Sequence, residues 1–106
     1  MSEPKMIYDN IAAKLVTDID DIAYGKMMSS PAITFNKKVF AFYYKEKMVF
    51  KLGKEFDFTP YTISDYELLN PFKNKPPLAG WYVIDAQYSE KWEELALLAY
   101  DKLKNS

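Results

Sequence analysis

No cysteine, histidine or arginine occurs among the 106 residues, and all 14 basic side chains are lysines. Without cysteine there is no disulfide, no thiolate nucleophile and no cysteine zinc site. Without histidine the usual general base at neutral pH and the commonest metal ligand are missing. Without arginine the chain lacks the bidentate fork that suits phosphates, carboxylates and guanine edges. The only glycines are Gly25, Gly53 and Gly80, so no glycine-rich phosphate loop exists. The longest apolar run, Val39 to Tyr44, falls far short of the roughly 18 residues a membrane span needs. Met1-Ser2-Glu3-Pro4-Lys5 carries no apolar stretch behind a positive start. We therefore expect a soluble, cytoplasmic chain with no membrane partner.

What is present is a core. With 49% hydrophobic and 17% aromatic residues the chain is too apolar for disorder, and its length fits a single domain over residues 1–106. Ile7, Ile11 and Leu15, with Ala12 and Val16 beside them, form the stripe of an amphipathic helix. Ser2 or Glu3 before Pro4 suits its start. Thr17-Asp18-Ile19-Asp20-Asp21 breaks that pattern, and Tyr24-Gly25-Lys26 reads as a turn or the beginning of a strand. Then the period changes. Ala32–Phe35, Val39–Tyr44 and Met48–Leu52 are β-branched and aromatic, separated by Asn36-Lys37-Lys38 and Lys45-Glu46-Lys47, which predicts a meander with hairpin turns. Ser64 with Glu67 three residues on predicts a short helix near 65–69. Pro71, Pro76 and Pro77 force an extended path. Trp81–Asp85 reads as a fourth strand, and Ser89 as the cap of a last helix striped by Trp92, Leu95, Ala96, Ala99 and Leu103. The order α-β-β-β-α-β-α describes an α+β, two-layer domain with terminal helices packed on an antiparallel sheet.

The strands then pose a problem. By simple alternation Val39, Ala41 and Tyr43 project one way and Phe40, Phe42 and Tyr44 the other. Both sets are apolar, yet two helices cover one face only. The second face needs a cover, and we expect the Pro-rich 70–80 segment together with another chain to supply it, which predicts a homodimer.

Candidate chemistry is sparse. Lys38-Val39-Phe40-Ala41-Phe42-Tyr43-Tyr44 is similar to the RNP1 strand of RNA-recognition modules, with Lys38, Phe40, Ala41 and Phe42 in place. Val39 stands for the glycine and Lys45 for the last aromatic, and the flanking topology differs. Residues 36–54 hold six lysines and one acid, a basic meander whose lysines cluster at turns on opposite ends of the central strand. Asp18, Asp20 and Asp21 are cation-type ligands without an EF-hand glycine or distal glutamate, and read more simply as a polar loop. Ser29 and Ser30 follow Lys26 in the wrong order for a Ser-x-x-Lys pair. Asp57 with Asp65 or Glu67 has no motif around it. Residues alone thus give no catalytic, cofactor-binding or metal-binding set.

Several short elements in order do resemble a family. Lys26-Met27-Met28-Ser29-Ser30-Pro31-Ala32-Ile33-Thr34-Phe35-Asn36, followed by Lys38-Val39-Phe40-Ala41, resembles the opening of TfoX N-terminal-like domains. Asn70-Pro71-Phe72, then Pro77-Leu78-Ala79-Gly80-Trp81-Tyr82-Val83-Ile84, then Trp92, Leu95, Ala96 and Ala99 continue the likeness, and YjbR-like proteins look related in architecture. The resemblance implies a curved antiparallel sheet similar to secretion-chaperone-like folds and brings no catalytic residues. TfoX itself regulates competence in bacteria through longer chains with a C-terminal domain. Met28-Ser29-Ser30 and residues 54–69 depart from the family pattern. These readings lead us to expect a non-enzymatic interaction or regulatory domain making protein–protein contacts. Its expected surface comprises Lys38, Phe40, Phe42, Tyr44, Lys45 and Lys47. The alternative is a nucleic-acid-binding module using the sheet aromatics and the lysines of residues 36–54.

Overall fold

Pro4 sits in the first turn of helix α1 (Glu3–Asp18), where its missing N–H interrupts no helical hydrogen bond. The computed structural model describes residues 3–27, 30–53, 56–61, 63, 65–69 and 78–105, residues 78 and 79 by their backbone. Six strands follow α1: β1 (Ile22–Met27), β2 (Ser30–Phe35), β3 (Lys38–Tyr44), β4 (Lys47–Lys51), β5 (Glu67–Leu69) and β6 (Leu78–Ile84). They form one antiparallel sheet in the order β1-β2-β3-β4-β6-β5, and helix α2 (Ser89–Lys104) closes the chain. The α+β class and the terminal placement of the helices are as expected from the sequence.

Two local expectations are corrected, and one left open between turn and strand is decided. Residues 65–69 hold strand β5, not a short helix: Glu67 and Leu68 pair with Val83 and Tyr82, and the ring of Tyr66 packs on Phe58 and Tyr82 at 4.4 and 5.6 Å. Sheet pairing and ring packing outweigh a local capping preference there; Ser64 itself lies outside the described residues. The Tyr24-Gly25-Lys26 stretch is a full edge strand. Ser89 is the first residue of α2 rather than its cap, because a 3-10 helix (Ala86–Tyr88) runs straight into it and Asp85 caps that turn by accepting from Gln87 N.

Both helices lie on one face of the sheet. Tyr8, Ile11, Ala12 and Leu15 of α1 and Trp92, Leu95, Ala96 and Ala99 of α2 share a core with Ile33, Phe40, Met48, Phe50 and Ile84. The ion pair from Lys14 Nζ to Glu93 Oε2, at 2.9 Å between the helices, is solvent-exposed, so apolar burial holds this layer. On the other face Ala32, Phe42, Val49, Leu69 and Val83 make a second, smaller cluster, edged by Met27, Val39, Tyr44 and Trp81.

A bulge decides which aromatic goes where. Ile33 pairs with Ala41 but Thr34 pairs with Val39, so β3 carries one extra residue, Phe40. Phe40 and Ala41 consequently both join the helical core, while Val39 moves to the opposite cluster with Phe42 and Tyr44. The expectation that Phe40, Phe42 and Tyr44 share a face is therefore wrong for Phe40, because the alternation of two is broken at that residue.

Gly80 and Gly53 allow the β4–β6 crossing at the end of β4. Both have positive φ (89° and 93°), and Leu52 N and Gly53 N both donate to Gly80 O. A Cβ on Gly80 would lie 3.4 Å from Gly53 Cα. We predict that Gly80→Ala lowers stability by about 1–3 kcal/mol, read from urea unfolding, because an L side chain is strained at that φ.

The helical core has an unsatisfied hydroxyl. Tyr8 Oη and Trp92 Nε1 are buried without a hydrogen-bond partner among the described residues. Burial, helped by the charge of Asp9, holds the Tyr8 phenol well above its ordinary value of 10.0. In the unfolded chain this phenol ionises as pH passes that value, whereas the fold keeps it protonated. Its contribution is constant below that pH and is lost as pH rises further. Tyr8→Phe is predicted to raise stability by about 1 kcal/mol at neutral pH and to make the alkaline decline shallower, both measurable by urea unfolding across pH. An unchanged alkaline slope would contradict this.

Candidate functional site

The β3–β4 hairpin turns on Lys45-Glu46, both in the left-handed region (φ 49° and 65°). This is the two-residue geometry whose twist matches the flanking strands, although Asn-Gly is its usual occupant. The turn sets Tyr44 directly opposite Lys47. Beyond Lys47 the sheet continues to β6 and β5, so Val83, Leu69 and Glu67 arrive at the same corner. Tyr44, Lys45, Lys47, Glu67, Leu68, Leu69 and Val83 line a depression of about 230 Å³. A second depression of about 240 Å³ adjoins it across Lys47, Glu67 and Val83 and is walled by Asp65, Tyr66 and Asp85. One basin is apolar-floored and lysine-rimmed; the other is mostly polar.

The electrostatics follow from geometry. Lys45 Nζ stands 5.1 Å from the centre of the Tyr44 ring, a cation–π arrangement at an exposed site. Among the described residues neither Lys45 nor Lys47 forms an ion pair. Asp85 is occupied in capping, its Oδ1 accepting from Gln87 N at 3.3 Å. Asp57 lies elsewhere, accepting from Thr59 N at 2.9 Å. The Thr59 hydroxyl and N–H hold its carboxyl below the usual range.

The residues expected from sequence separate into three groups. Tyr44, Lys45 and Lys47 come together at this corner. Lys38 is exposed at the other end of β3, about 20 Å away for a seven-residue strand. Lys37 lies at that far end too, so the basic meander carries two separate lysine groups. Phe40 and Phe42 are both 0% exposed. Phe40 packs 6.0 Å from Tyr100 in the helical layer, and Phe42 lies 5.9 Å from Trp81 and 6.2 Å from Tyr44 on the opposite face. Neither offers a free ring face.

The row of the second face is buried within a single chain, so the second chain expected over this face is not required to bury it. The Pro-rich cover expected over residues 70–80 falls mainly on 70–77, outside the described residues. Of the remaining candidates, Lys26 is exposed in β1 and Ser30 is half-buried opposite Met27, while Ser29 lies outside the described residues. Asp18, Asp20 and Asp21 are all exposed, and among the described residues no three carboxylates are placed to hold a metal ion. Glu67 and Leu69 were not legible as site residues, because a three-residue strand is too short to show periodicity, and Val83 joins them only through the strand order β4-β6-β5.

The strained turn makes a direct prediction. Replacing Lys45-Glu46 by Asn-Gly should raise stability by about 1 kcal/mol, since both residues then favour positive φ. Thermal unfolding measures this; an unchanged or lower midpoint would contradict the assignment of strain to the turn.

Comparison with protein-family models, curated proteins and solved structures finds no match.

Proposed function

We propose that this chain is a small, non-enzymatic interaction domain of the TfoX N-terminal-like kind, acting in a cytoplasmic regulatory setting through protein–protein contacts. The observation that carries the reading is the corner where the β3–β4 hairpin meets β5. Two lysines without acidic partners among the described residues border an apolar floor of Leu69 and Val83, with the Tyr44 ring as a wall. Such a corner suits an acidic segment with an apolar side chain: the side chain enters the basin and a carboxylate meets a lysine. Keeping Lys45 and Glu46 in a turn that favours Asn-Gly sacrifices stability for charge at this tip, a pattern expected at binding sites. A depression of about 300 Å³ with Lys51 and Lys102 beside Leu52, Ala99 and Leu103 shares the pairing of lysine with apolar surface, but none of its lining residues is a non-glycine residue at positive φ.

A nucleic-acid reading rests on base stacking by Phe40 and Phe42, and both rings are enclosed. Protein is therefore the favoured partner class. The test is an NMR titration of the full chain with a short peptide alternating Glu and Leu, and separately with single-stranded oligo-dT. We predict shift changes from the peptide centred on Tyr44, Lys45, Lys47 and Val83, abolished in a Lys45→Glu/Lys47→Glu variant, and none from oligo-dT. Absence of peptide shifts, or steeply salt-dependent shifts from the oligonucleotide, would overturn the proposal.

A further inference from the structure

Strand β1 is one edge of the sheet, and its outward backbone groups can be assigned. Asn36 N donates to Asp21 O at 3.0 Å, which makes 21 and 36 a hydrogen-bonded pair in the β1–β2 ladder. Alternation then gives 23, 25 and 27 their bonds to β2 and turns the backbone groups of Ile22, Tyr24 and Lys26 outward. Ile22 N–H is partly used by Ile19 O at 3.4 Å, leaving its carbonyl open. Of the usual protections this edge carries only one lysine. No proline and no bulge interrupts β1, Tyr24 is 62% exposed, and Lys26 is its single charge.

We propose that β1 is the site at which a second copy of this chain docks, by antiparallel β1–β1 pairing about a two-fold axis at Tyr24. Backbone parity permits this occupant and charge selects it. A two-fold pairing that keeps each residue on its own face must join residues of equal parity, and the outward set 22, 24 and 26 satisfies that condition. Tyr24 then opposes Tyr24 of the second copy, and each Lys26 N–H meets the Ile22 carbonyl opposite. The charges also match. Asp20 and Asp21 immediately precede β1 and Lys26 lies near its end, so antiparallel pairing brings each lysine towards the acids of the other copy. A register that aligned lysine with lysine would be repelled, so the charge that guards the edge also fixes its alignment. The helical layers of the two copies fall on the same side of one continuous sheet. This contact is separate from the hairpin corner, and either stands without the other.

Light scattering on the full chain, from low micromolar to near-millimolar, is predicted to show a reversible dimer. Tyr24→Pro removes an outward N–H but no β1–β2 bond, because 24 and 33 form a non-hydrogen-bonded pair, and it should yield a folded monomer. Lys26→Glu should raise the dissociation constant about tenfold, and Asp20→Lys/Asp21→Lys in the same chain should restore it. The native chain has no cysteine. Tyr24→Cys should oxidise to a covalent dimer, since opposed hydrogen-bonded residues lie about 5.5 Å apart at Cα, within disulfide reach. Tyr66→Cys, near the opposite edge, should not. A chain monomeric at every concentration, a dimer unaffected by Lys26→Glu, or equal cross-linking of the two cysteine variants would overturn the proposal.

Discussion

A six-stranded sheet with apolar side chains on both faces and two helices to cover one of them is the constraint on which the rest of this structure depends. β3 and β4 are the centre of that sheet, and every residue from Phe40 to Phe42 and from Met48 to Phe50 is fully buried. Burial on this scale is the dominant favourable term in folding. It also removes the most hydrophobic side chains from any role in recognition. What remains for function is the perimeter: hairpin tips, sheet edges and the corners where strands of unequal length end.

The β3 bulge shapes how that constraint is met. By placing Phe40 and Ala41 together in the helical layer, it gives the Tyr100 ring of α2 an aromatic partner while leaving Phe42 to fill the opposite face. The two apolar clusters are thereby divided along one strand. Tyr44, one register position beyond Phe42 on the same face, reaches the rim and becomes the wall of the hairpin corner. The division of the core along β3 is therefore the consequence of a single extra residue.

The sequence made much of this legible, and the exceptions have physical causes. The stripes Ile11-Leu15 and Trp92-Leu95-Ala96-Ala99 identify the buried faces of α1 and α2, because 3.6-residue spacing survives in long helices. The Asn36-Lys37 and Lys45-Glu46 turns follow from the spacing of the strand runs. The bulge did not show, since an inserted residue in an all-apolar run leaves the pattern looking unbroken. β5 was hidden by a capping-box spacing that tertiary pairing with β6 overrides. Tyr8, 2% exposed, takes the buried position that the stripe assigned to Ile7, which is only half-buried. At the site, the lysines and Tyr44 were legible from composition and position, whereas Val83 and Leu69 arrive only through the strand order β4-β6-β5.

Both strand-β3 phenylalanines are enclosed, which leaves recognition to the perimeter. A soluble paramagnetic co-solute added to the full chain tests this most directly, through broadening of ring proton signals. The rings of Phe40 and Phe42 are predicted to keep their linewidths while those of the exposed Tyr24 and Tyr66 broaden strongly. Broadening of Phe42 equal to that of Tyr24 would contradict it.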